Sequence, residues 1–436
     1  MNYINIAYYF SWHPDYDILM FMTLSEELTW RGFVNQTTYS DIKAIDEKKI
    51  VFYHGFDVSS DSQTIGNLAA MMLDRCLMRH GHLAIIVAGG ATSLVGDPGG
   101  KDAERELLSV DTIAHNTSFA EEQIRRVFSG FDFKLVNNLD WTKDMKVIDY
   151  LRDYGKHFSM TPLIQRDYIA KRIGEDGSGL SYAEFSYTIL QGIDYLHLYD
   201  EFECTLQLGG SDQWGNCLSG VDLIRRVRGV EVNALSQPLV INKATGKKFG
   251  KTEDGAVWLD PKKTTPTQFY QFWINVDDEG LEGYLKIFSE LSKEQIDELL
   301  TKHTSDPSAR HGQMVLAKEV TTLVHGKDNM ELAENVTEFL TGKKPIGEAG
   351  SLLVDIRKEI PAVTAKSDGS ISEALVASGL ASSATEAHRF IADNAISINN
   401  TKVDRDNFEA ADFTKEVLLL RRGKSFKDAT LVELKA

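Results

Sequence analysis

A lysine-rich loop is the first stretch of the sequence whose residue types could do chemistry. It reads NKATGKKFGKTEDGAVWLD and carries Lys247, Lys248, Lys251 and Thr252. Ammonium groups beside a hydroxyl can neutralise and hydrogen-bond a chain of phosphates. A solvated basic turn would have the same composition. The loop therefore predicts phosphate binding, with a plain surface turn as the alternative.

The spacing of this loop does not fit a P-loop. A P-loop places four residues between its first glycine and its Gly-Lys pair, and it opens a helix. Here Thr245 stands where the first glycine belongs, and the glycine and proline after Thr252 favour a turn into a strand. The stretch LVGDPGGKD fails too, since Val95 and Asp102 replace the glycine and the hydroxyl. Any phosphate site here must have another geometry.

A second chemical pattern is a polar stripe in an otherwise apolar helical segment. Tyr187, Gln191 and Asp194 lie at positions i, i+4 and i+7 and so share one helix face. Burying three polar groups without partners would cost about 1–3 kcal/mol each. The stripe therefore predicts either a solvent-facing surface or a pocket for a polar ligand.

Alternating strand-like and helix-like stretches must position these residues. KKIVFYHGFD predicts a strand, residues 62–80 have the period of an amphipathic helix, and HLAIIVAGG predicts a buried parallel strand. CTLQLGGSDQWGN repeats the pattern, with a strand that runs into Gly209 and Gly210 and is followed by Asp212 and Gln213. Together they predict an open α/β sheet whose ligands lie beyond the carboxyl ends of the strands.

The remaining chain changes character after Pro266, where long helical periods replace the alternation. A stretch mixed in glycine, proline and charge follows, and then short helical and strand-like pieces. The predicted divisions are an N-terminal lead-in (1–50), an α/β domain (51–260), an all-α domain (261–345), a linker (346–369) and a small α+β domain (370–436).

Composition bounds the class of protein. The 436 residues are 42% hydrophobic and 25% charged, and no run reaches the roughly 18 apolar residues of a membrane span. The net charge of −17 argues against coating a polyanion over a wide surface. Three scattered cysteines show neither disulfide nor metal spacing, which favours a reducing cytoplasm and predicts no protein-bound metal. The N-terminus lacks a basic region and cleavage site for a signal peptide, and Met20 or Met22 could be a second start.

Seven stretches, taken in order, resemble the bacterial-type tyrosyl-tRNA synthetases, a class I aminoacyl-tRNA synthetase family. They cover the chain from about Val51 to the C-terminus and read GFDVSSDSQTIGNL, GGATSLVGDPGGK, LRDYGKHFS, EFSYTILQGIDY, LQLGGSDQWGN, KFGKTEDGAVWLDPKKTTPTQFYQFWIN and LLLRRGK. The resemblance implies an α/β, Rossmann-type nucleotide-binding catalytic domain, an all-α anticodon-side domain and a small α+β RNA-binding domain of the ribosomal S-four type.

The resemblance also implies a two-step reaction. The carboxylate of L-tyrosine attacks the α-phosphate of ATP to give tyrosyl-adenylate and pyrophosphate, and the tyrosyl group then moves to the 3′ end of tRNA(Tyr). ATP is a substrate that brings Mg²⁺, and the family is usually a homodimer. Two alternatives stay open. One is a catalytically impaired RNA-binding paralogue, and the other is a relative that activates tryptophan or a modified tyrosine.

Site residues follow by the same resemblance. Tyr53 and Asp194 would hold the phenol of tyrosine, and Asp97, Tyr187 and Gln191 its amino group. The residues implied to bind ATP are Asp57, Ser59, Gly66, Gln207, Gly210, Asp212, Gln213 and Lys251. The residues implied to stabilise phosphate charge are Lys248, Lys251, Thr252, Lys101, Arg105, Thr64 and Asn67.

One departure from the family pattern concerns the phosphates. The family's His-Ile-Gly-His or His-Leu-Gly-His signature is Thr64-Ile65-Gly66-Asn67 here. Gly66 keeps the close approach of the nucleotide and Asn67 can donate through its amide, whereas Thr64 offers only a short hydroxyl. His54 stands where a cysteine is common in the family, near the expected ribose. We expect an active enzyme with weakened ATP handling.

RNA contacts are expected from local basic patches. Residues 415–427 carry five basic side chains against one acidic, a net +4 that reverses the global sign. Within this patch Arg421, Arg422 and Lys424 are the predicted RNA-binding residues. A second cluster comprises Arg225, Arg226 and Arg228. A merely solubilising surface is the alternative.

Overall fold

The computed structural model describes residues 22–97, 108–174, 177–252, 255–423 and 428–435. The chain forms two compact units, of which the first contains the chain up to Val257 together with Glu282–Ile296. The second contains Trp258–Leu281 and Asp297–Ala436. No helix in the described ranges is long and apolar enough to cross a membrane.

Thirteen strands lie in the described ranges. They are β1 (Gln36–Thr37), β2 (Val51–Phe56), β3 (Leu83–Ala88), β4 (Phe133–Asn137), β5 (Cys204–Gly210), β6 (Asn233–Gln237), β7 (Lys251–Thr252), β8 (Gly255–Ala256), β9 (Ala362–Ala365), β10 (Ile396–Ile398), β11 (Thr401–Lys402), β12 (Val417–Arg422) and β13 (Ala429–Leu434).

The α-helices of the described ranges follow in chain order. They are α1 (Leu24–Arg31), α2 (Ile65–Arg79), α3 (Gly90–Val95), α4 (Val110–Val127), α5 (Leu139–Thr142), α6 (Val147–Asp149), α7 (Met160–Ile164), α8 (Asp167–Ile173), α9 (Tyr182–Phe202), α10 (Trp214–Arg228), α11 (Pro266–Ile274), α12 (Leu281–Phe288), α13 (Lys293–Ser305), α14 (His311–His325), α15 (Lys327–Leu340), α16 (Leu353–Glu359), α17 (Ile371–Ala377) and α18 (Ala384–Ala392).

The first unit is built on a six-stranded sheet in the order β1-β6-β5-β2-β3-β4. All neighbours are parallel except β1, which is antiparallel to β6. The chain winds outward from β2 through β3 to β4 and then returns to β5, which pairs with β2 on its other side. Such a reversal opens a crevice beyond the carboxyl ends of the two central strands. The predicted α/β fold with a Rossmann-type sheet is confirmed.

Local sequence explains the elements around this crevice. β3 is almost wholly buried, as its continuous apolar run LAIIVA predicted. α9 begins at a capping box in which Ser181 and Glu184 bond each other's backbone amides. Its core face packs with β5 and α10 in a cluster that includes Tyr195, Leu198 and Leu223, each at most 1% exposed. The polar stripe therefore lies on a helix that is packed firmly against β5 and α10.

The second unit contains helices and a second sheet in the order β11-β10-β12-β13-β9. Its β12 alternates between two cores, since Leu418 and Leu420 pack with α17 and α18, whereas Val417 and Leu419 pack with α15 and α16. The all-α and α+β character predicted after Pro266 is confirmed. The stretch 346–369, interpreted as a linker, instead contains α16, with Ile356 fully buried, and β9, which pairs with β13. The predicted domain boundaries stay predictions.

Candidate active site

The central strands bring two predicted site residues side by side. Tyr53 of β2 lies opposite Gln207 of β5 in the parallel register. Both residues are buried, at 2% and 1% exposure. The Tyr53 hydroxyl and the Gln207 Oε1 have no hydrogen-bond partner among the described residues, and the same holds for Oε1 of Gln191 on α9. Buried polar atoms are rarely left unpaired, so this part of the crevice has the chemistry of a pocket for a polar ligand.

Asp194 is the charged group of this pocket. It is 5% exposed, and it accepts hydrogen bonds from Asn138 Nδ2 at 3.0 Å and from Trp141 Nε1 at 2.8 Å. Burial raises the pKa of Asp194 to about 7, although the two hydrogen bonds act in the opposite direction. Burial, reinforced by neighbours that include Asp194, also holds the pKa of Tyr53 well above its usual value. The pocket thus presents a carboxyl group that ionises near neutral pH together with a neutral phenol.

Asn138 and Trp141 were missed by the sequence analysis. They follow the carboxyl end of β4, in the stretch NNLDW. Polar and aromatic residues directly after a buried strand are the signal that could have found them. Asn138 is 1% exposed and also donates to Thr92 Oγ1 at 3.1 Å, so its position is fixed from two sides.

The remaining amino-acid residues are divided between two elements. Tyr187 and Gln191 are half-buried on α9, on the stripe that ends at the buried Asp194. Asp97 lies after α3 and accepts a hydrogen bond of 2.5 Å from Gln213 Nε2. The structure therefore joins a residue predicted for tyrosine to a residue predicted for ATP.

The start of α2 carries the departure from the family signature. Asn67 Oδ1 accepts hydrogen bonds from the backbone N of Thr64 at 2.9 Å and from its Oγ1 at 2.8 Å. The Thr64 hydroxyl proton is thus used within the helix cap, and the Asn67 amide NH₂ remains as a donor for a ligand. A Cβ added at Gly66 would meet only Thr64 Oγ1, at 3.4 Å, so the glycine keeps this helix start accessible.

The residues predicted around the ribose lie at the carboxyl ends of β2 and β5. Asp57 Oδ1 accepts from the backbone N of Ser59 at 2.8 Å and from Ser93 Oγ at 3.1 Å. Asp212 is exposed and lies so close to Gly210 that a Cβ there would come within 2.5 Å of its carboxylate. A side chain at position 210 would therefore displace Asp212.

The lysine-rich loop is anchored at its centre. Phe249 is 4% exposed and stacks on Tyr284, with ring centroids 4.3 Å apart. Gly250 has a φ of 84° and lies against Ile65, whose Cγ1 would be 2.4 Å from an added Cβ. The backbone N of Ile65 also donates to the carbonyl of Val257, at 3.1 Å. The loop backbone is thus fixed against the start of α2, and it is not a P-loop.

The lysines themselves are described only in part. Lys248 is exposed and its backbone bridges to Ile241. Lys251 and Thr252 form β7, which pairs with β8, but their side chains are outside the described part of the chain. Lys101, Arg105 and Lys424 also lie outside the described residues.

The two described arginines of the basic C-terminal patch are engaged within the protein. Arg421 is 7% exposed, and its NH1 donates to the carbonyl of Thr341 and to Asn400 Oδ1. Burial lowers the pKa of Arg421. Arg422 forms an ion pair of 2.6 Å with Asp428 but keeps about 35% of its side chain exposed. Arg422 is therefore accessible at the surface to an RNA ligand, whereas Arg421 is buried.

One group of possible metal ligands occurs in the described part of the chain, away from the crevice. It comprises Glu27, Cys76 and His80, whose donor atoms lie within 4.8 Å of one another. The Glu27 carboxylate already accepts from Arg31 at 2.6 Å, Arg79 at 2.5 Å and His80 at 2.7 Å. Two guanidinium groups on the same carboxylate oppose a metal cation there.

Comparison with known proteins agrees with this geometry. The family model described as "tRNA synthetases class I (W and Y)" matches residues 45–341, more than half of the chain. The protein therefore belongs to the class I tRNA synthetases. A second model, "Tyrosine--tRNA ligase SYY-like C-terminal domain", matches residues 353–428.

The relatives narrow the class further. A protein of Bacillus cereus named tyrosine–tRNA ligase 2 is 42% identical over 428 residues, 95% of this chain and all of the relative. A tyrosine–tRNA ligase of Limosilactobacillus reuteri is 40% identical, over 92% of this chain and 98% of its own. The crystal structure of a C-terminally truncated mitochondrial tyrosyl-tRNA synthetase of Aspergillus nidulans superimposes with a TM-score of 0.66 at 27% identity, covering 73% of this chain and 94% of that one. Within its class, the chain is a tyrosine–tRNA ligase.

Proposed function

We propose that the crevice between β2 and β5 activates L-tyrosine with ATP through the residues described above, and that the tyrosyl group then passes to the 3′ end of tRNA(Tyr). The observation that carries the proposal is the buried Asp194 carboxylate beside the unpartnered hydroxyl of Tyr53. A phenol donates one hydrogen bond and accepts another, so these two groups match it on both counts. Phenylalanine would leave the Tyr53 hydroxyl unpaired and would offer Asp194 no further donor.

The ammonium and carboxylate of tyrosine would lie further along the crevice. Asp97 carries the negative charge for the ammonium group, with Tyr187 and Gln191 beside it on α9. The hydrogen bond between Asp97 and Gln213 supports this division, since it joins the amino-acid and nucleotide sides of the site. Gln213 would then orient the reacting carboxylate against the α-phosphate of ATP.

The nucleotide would enter over the start of α2. Gly66 leaves room there, and Asp57, Ser59, Gln207, Gly210 and Asp212 surround the ribose side. The first step needs no protein nucleophile, because the tyrosine carboxylate attacks and pyrophosphate leaves. The protein must neutralise charge that grows on the phosphates. We assign this to Asn67 with Thr64, Lys101, Arg105, Lys248, Lys251 and Thr252, and Mg²⁺ arriving with ATP would add positive charge.

The direct test is tyrosine-dependent exchange of pyrophosphate into ATP, run in parallel with phenylalanine and tryptophan. We expect exchange with tyrosine alone, and charging of tRNA(Tyr) in a separate assay. The absence of exchange at saturating ATP and tyrosine would favour the catalytically impaired RNA-binding paralogue instead. Exchange with tryptophan at a comparable rate would overturn the assignment of the pocket to a phenol.

We further propose that the protein is a homodimer. Apolar side chains are exposed within a short stretch of the first unit, including Val147 at 71%, Ile148 at 68%, Leu151 at 48% and Met160 at 52%. Exposed apolar side chains that are concentrated in one stretch are typical of an interface. A cytoplasmic location is proposed as well, since Cys76, Cys204 and Cys217 are all free thiols and buried.

Light scattering coupled to size-exclusion chromatography tests the dimer. We expect a dimer for the wild type and a shift to monomer for Ile148→Glu, because a carboxylate cannot be buried in an apolar interface without a large cost. Val354→Glu is the matched control, since Val354 is 57% exposed but lies in the second unit. A monomeric wild type, or a dimer unaffected by Ile148→Glu, would contradict the proposal.

A further inference from the structure

His197 is a residue that neither the sequence motifs nor the proposed reaction uses. It lies on α9, three residues after Asp194, and therefore on the same side of the helix. Its imidazole stacks on the indole of Trp141, with ring centroids 4.3 Å apart and planes inclined by 19°. The edge of the same indole donates to Asp194 Oδ1 at 2.8 Å. One tryptophan thus contacts two residues of α9, by its face and by its edge.

The Trp141 ring depends on such contacts for its orientation. It projects from α5, a helix of only four residues, and it is only half-buried. The hydrogen bond from Nε1 fixes one point of the ring, and the indole also packs against the apolar core of the first unit. The nearly parallel imidazole adds a contact on the face of the ring, and a stacked aromatic pair of this kind is stabilising beyond the area that it buries.

The imidazole of His197 has the properties of a neutral aromatic support. Burial lowers its pKa, although Glu201 and Asp200 act in the opposite direction. A neutral ring can stack on indole without placing a positive charge beside Asp194, which would compete with the hydrogen bonds that the carboxylate accepts.

We propose that His197 is a positioning residue for tyrosine recognition. It holds Trp141 so that Nε1 donates to Asp194, and this hydrogen bond orients the carboxylate so that its remaining lone pairs face the pocket. The inference rests on the proposed role of Asp194 in binding the phenol. His197 does not touch the substrate in this account. Its effect reaches tyrosine through Trp141 and Asp194 alone, and the ATP side of the crevice is not involved.

Pyrophosphate exchange with the full-length protein tests this chain of contacts. We expect His197→Ala to raise KM for tyrosine about 3- to 10-fold, the range that stacked aromatic pairs contribute, with kcat and KM for ATP nearly unchanged. His197→Phe should keep a tyrosine KM close to the wild-type value, because it restores the stack without the imidazole. His115→Ala is the matched control: His115 is exposed on α4 and packs on Phe119, with ring centroids 4.8 Å apart.

A double-mutant cycle separates positioning from general packing. In a Trp141→Phe background there is no Nε1 donor, so His197→Ala should cause little further rise in the tyrosine KM. Equal effects in both backgrounds, an unchanged tyrosine KM in His197→Ala, or a parallel rise in the KM values of tyrosine and ATP would each overturn the inference. A wild type without tyrosine-dependent exchange would instead overturn the proposed function, and the inference with it.

Discussion

Asp194→Asn is expected to lower kcat/KM for tyrosine in pyrophosphate exchange by about 100-fold, since removing one partner of a buried charged hydrogen bond costs about 2–5 kcal/mol. The variant keeps the size of the side chain but loses the charge and one acceptor oxygen. Asn138 and Trp141 already donate to the two oxygens of the carboxylate. The amide cannot accept from both and from a phenol with the same strength.

The substitution should reduce the selectivity for tyrosine and leave the binding of ATP unchanged. Phenylalanine has no hydroxyl and needs no acceptor at position 194, so its activation should be unaffected. The preference for tyrosine over phenylalanine should therefore fall by nearly the same factor of about 100. KM for ATP at saturating tyrosine should stay within about twofold, because a group that contacts only one substrate leaves the binding of the other unchanged. Asp200→Asn is the matched control: Asp200 lies on the same helix and pairs with Arg228 at the surface. Unchanged selectivity in Asp194→Asn would remove Asp194 from the phenol site.

The same substitution should also change the pH dependence of folding stability. This measurement distinguishes a loss of function from a loss of folding. The pKa of Asp194 rises from 3.8 to about 7 in the folded protein because the carboxyl is buried. Between about pH 4 and 7 the unfolded chain has released this proton and the folded chain still holds it, so folding stability declines as pH rises. Above about pH 7 both forms are ionised and the penalty is constant. Thermal unfolding of Asp194→Asn should lack this decline between pH 4 and 7, and a wild-type slope in the variant would contradict the pKa.

The parts of the site that could be predicted from sequence are those set by local pattern. The continuous apolar run of β3 and the period of α2 fix a buried strand and its covering helix, and the spacing of Tyr187, Gln191 and Asp194 fixes one helix face. These features depend only on the chain's own geometry. The pairing of β2 with β5 was harder to foresee, because it joins strands about 150 residues apart through the return of the chain.

The hydrogen-bond partner of each polar group could not be predicted from the sequence, because it depends on the tertiary fold. Arg421 and Arg422 are adjacent and chemically alike, yet alternation along β12 buries the first and leaves the second partly exposed. The support of Asp194 by Asn138 and Trp141 depends on β4 ending beside α9, which no local pattern reveals. Glycine, proline and charge around Ile356 likewise concealed a helix that is stabilised by tertiary packing.

We propose that the altered signature at the start of α2 leaves most of the phosphate binding to the lysine-rich loop. The Thr64 hydroxyl donates its hydrogen bond to Asn67 Oδ1. The side-chain NH₂ of Asn67 is therefore the donor that this pair of side chains has left for phosphate. The loop, in contrast, is tied to the same helix start through Gly250 and Val257. The loop backbone at Gly250 is therefore held beside the helix start from which the histidines of the family are missing, and we propose that the lysines of the loop act on the phosphates there.

Lys251→Met is accordingly expected to lower kcat for pyrophosphate exchange by about 10²- to 10³-fold, the usual effect of removing one group that stabilises charge in a transition state. Methionine keeps the length and the apolar stem of lysine but carries no charge. The dissociation constant for tyrosine, measured by equilibrium dialysis without ATP, should stay within about twofold, because the residues proposed to hold the phenol do not belong to the loop.

Lys247→Met provides the matched control for this prediction. Lys247 belongs to the same loop and carries the same charge, but it precedes the Phe249-Gly250 anchor by two residues and is exposed. Its loss should change kcat by less than about threefold, the range expected when a solvated surface charge is removed. If Lys247→Met and Lys251→Met were equally impaired, the loop would act only through its net charge. If neither were impaired, phosphate stabilisation would have to come from elsewhere in the crevice, and the loop would be the solvated basic turn that its composition also allows.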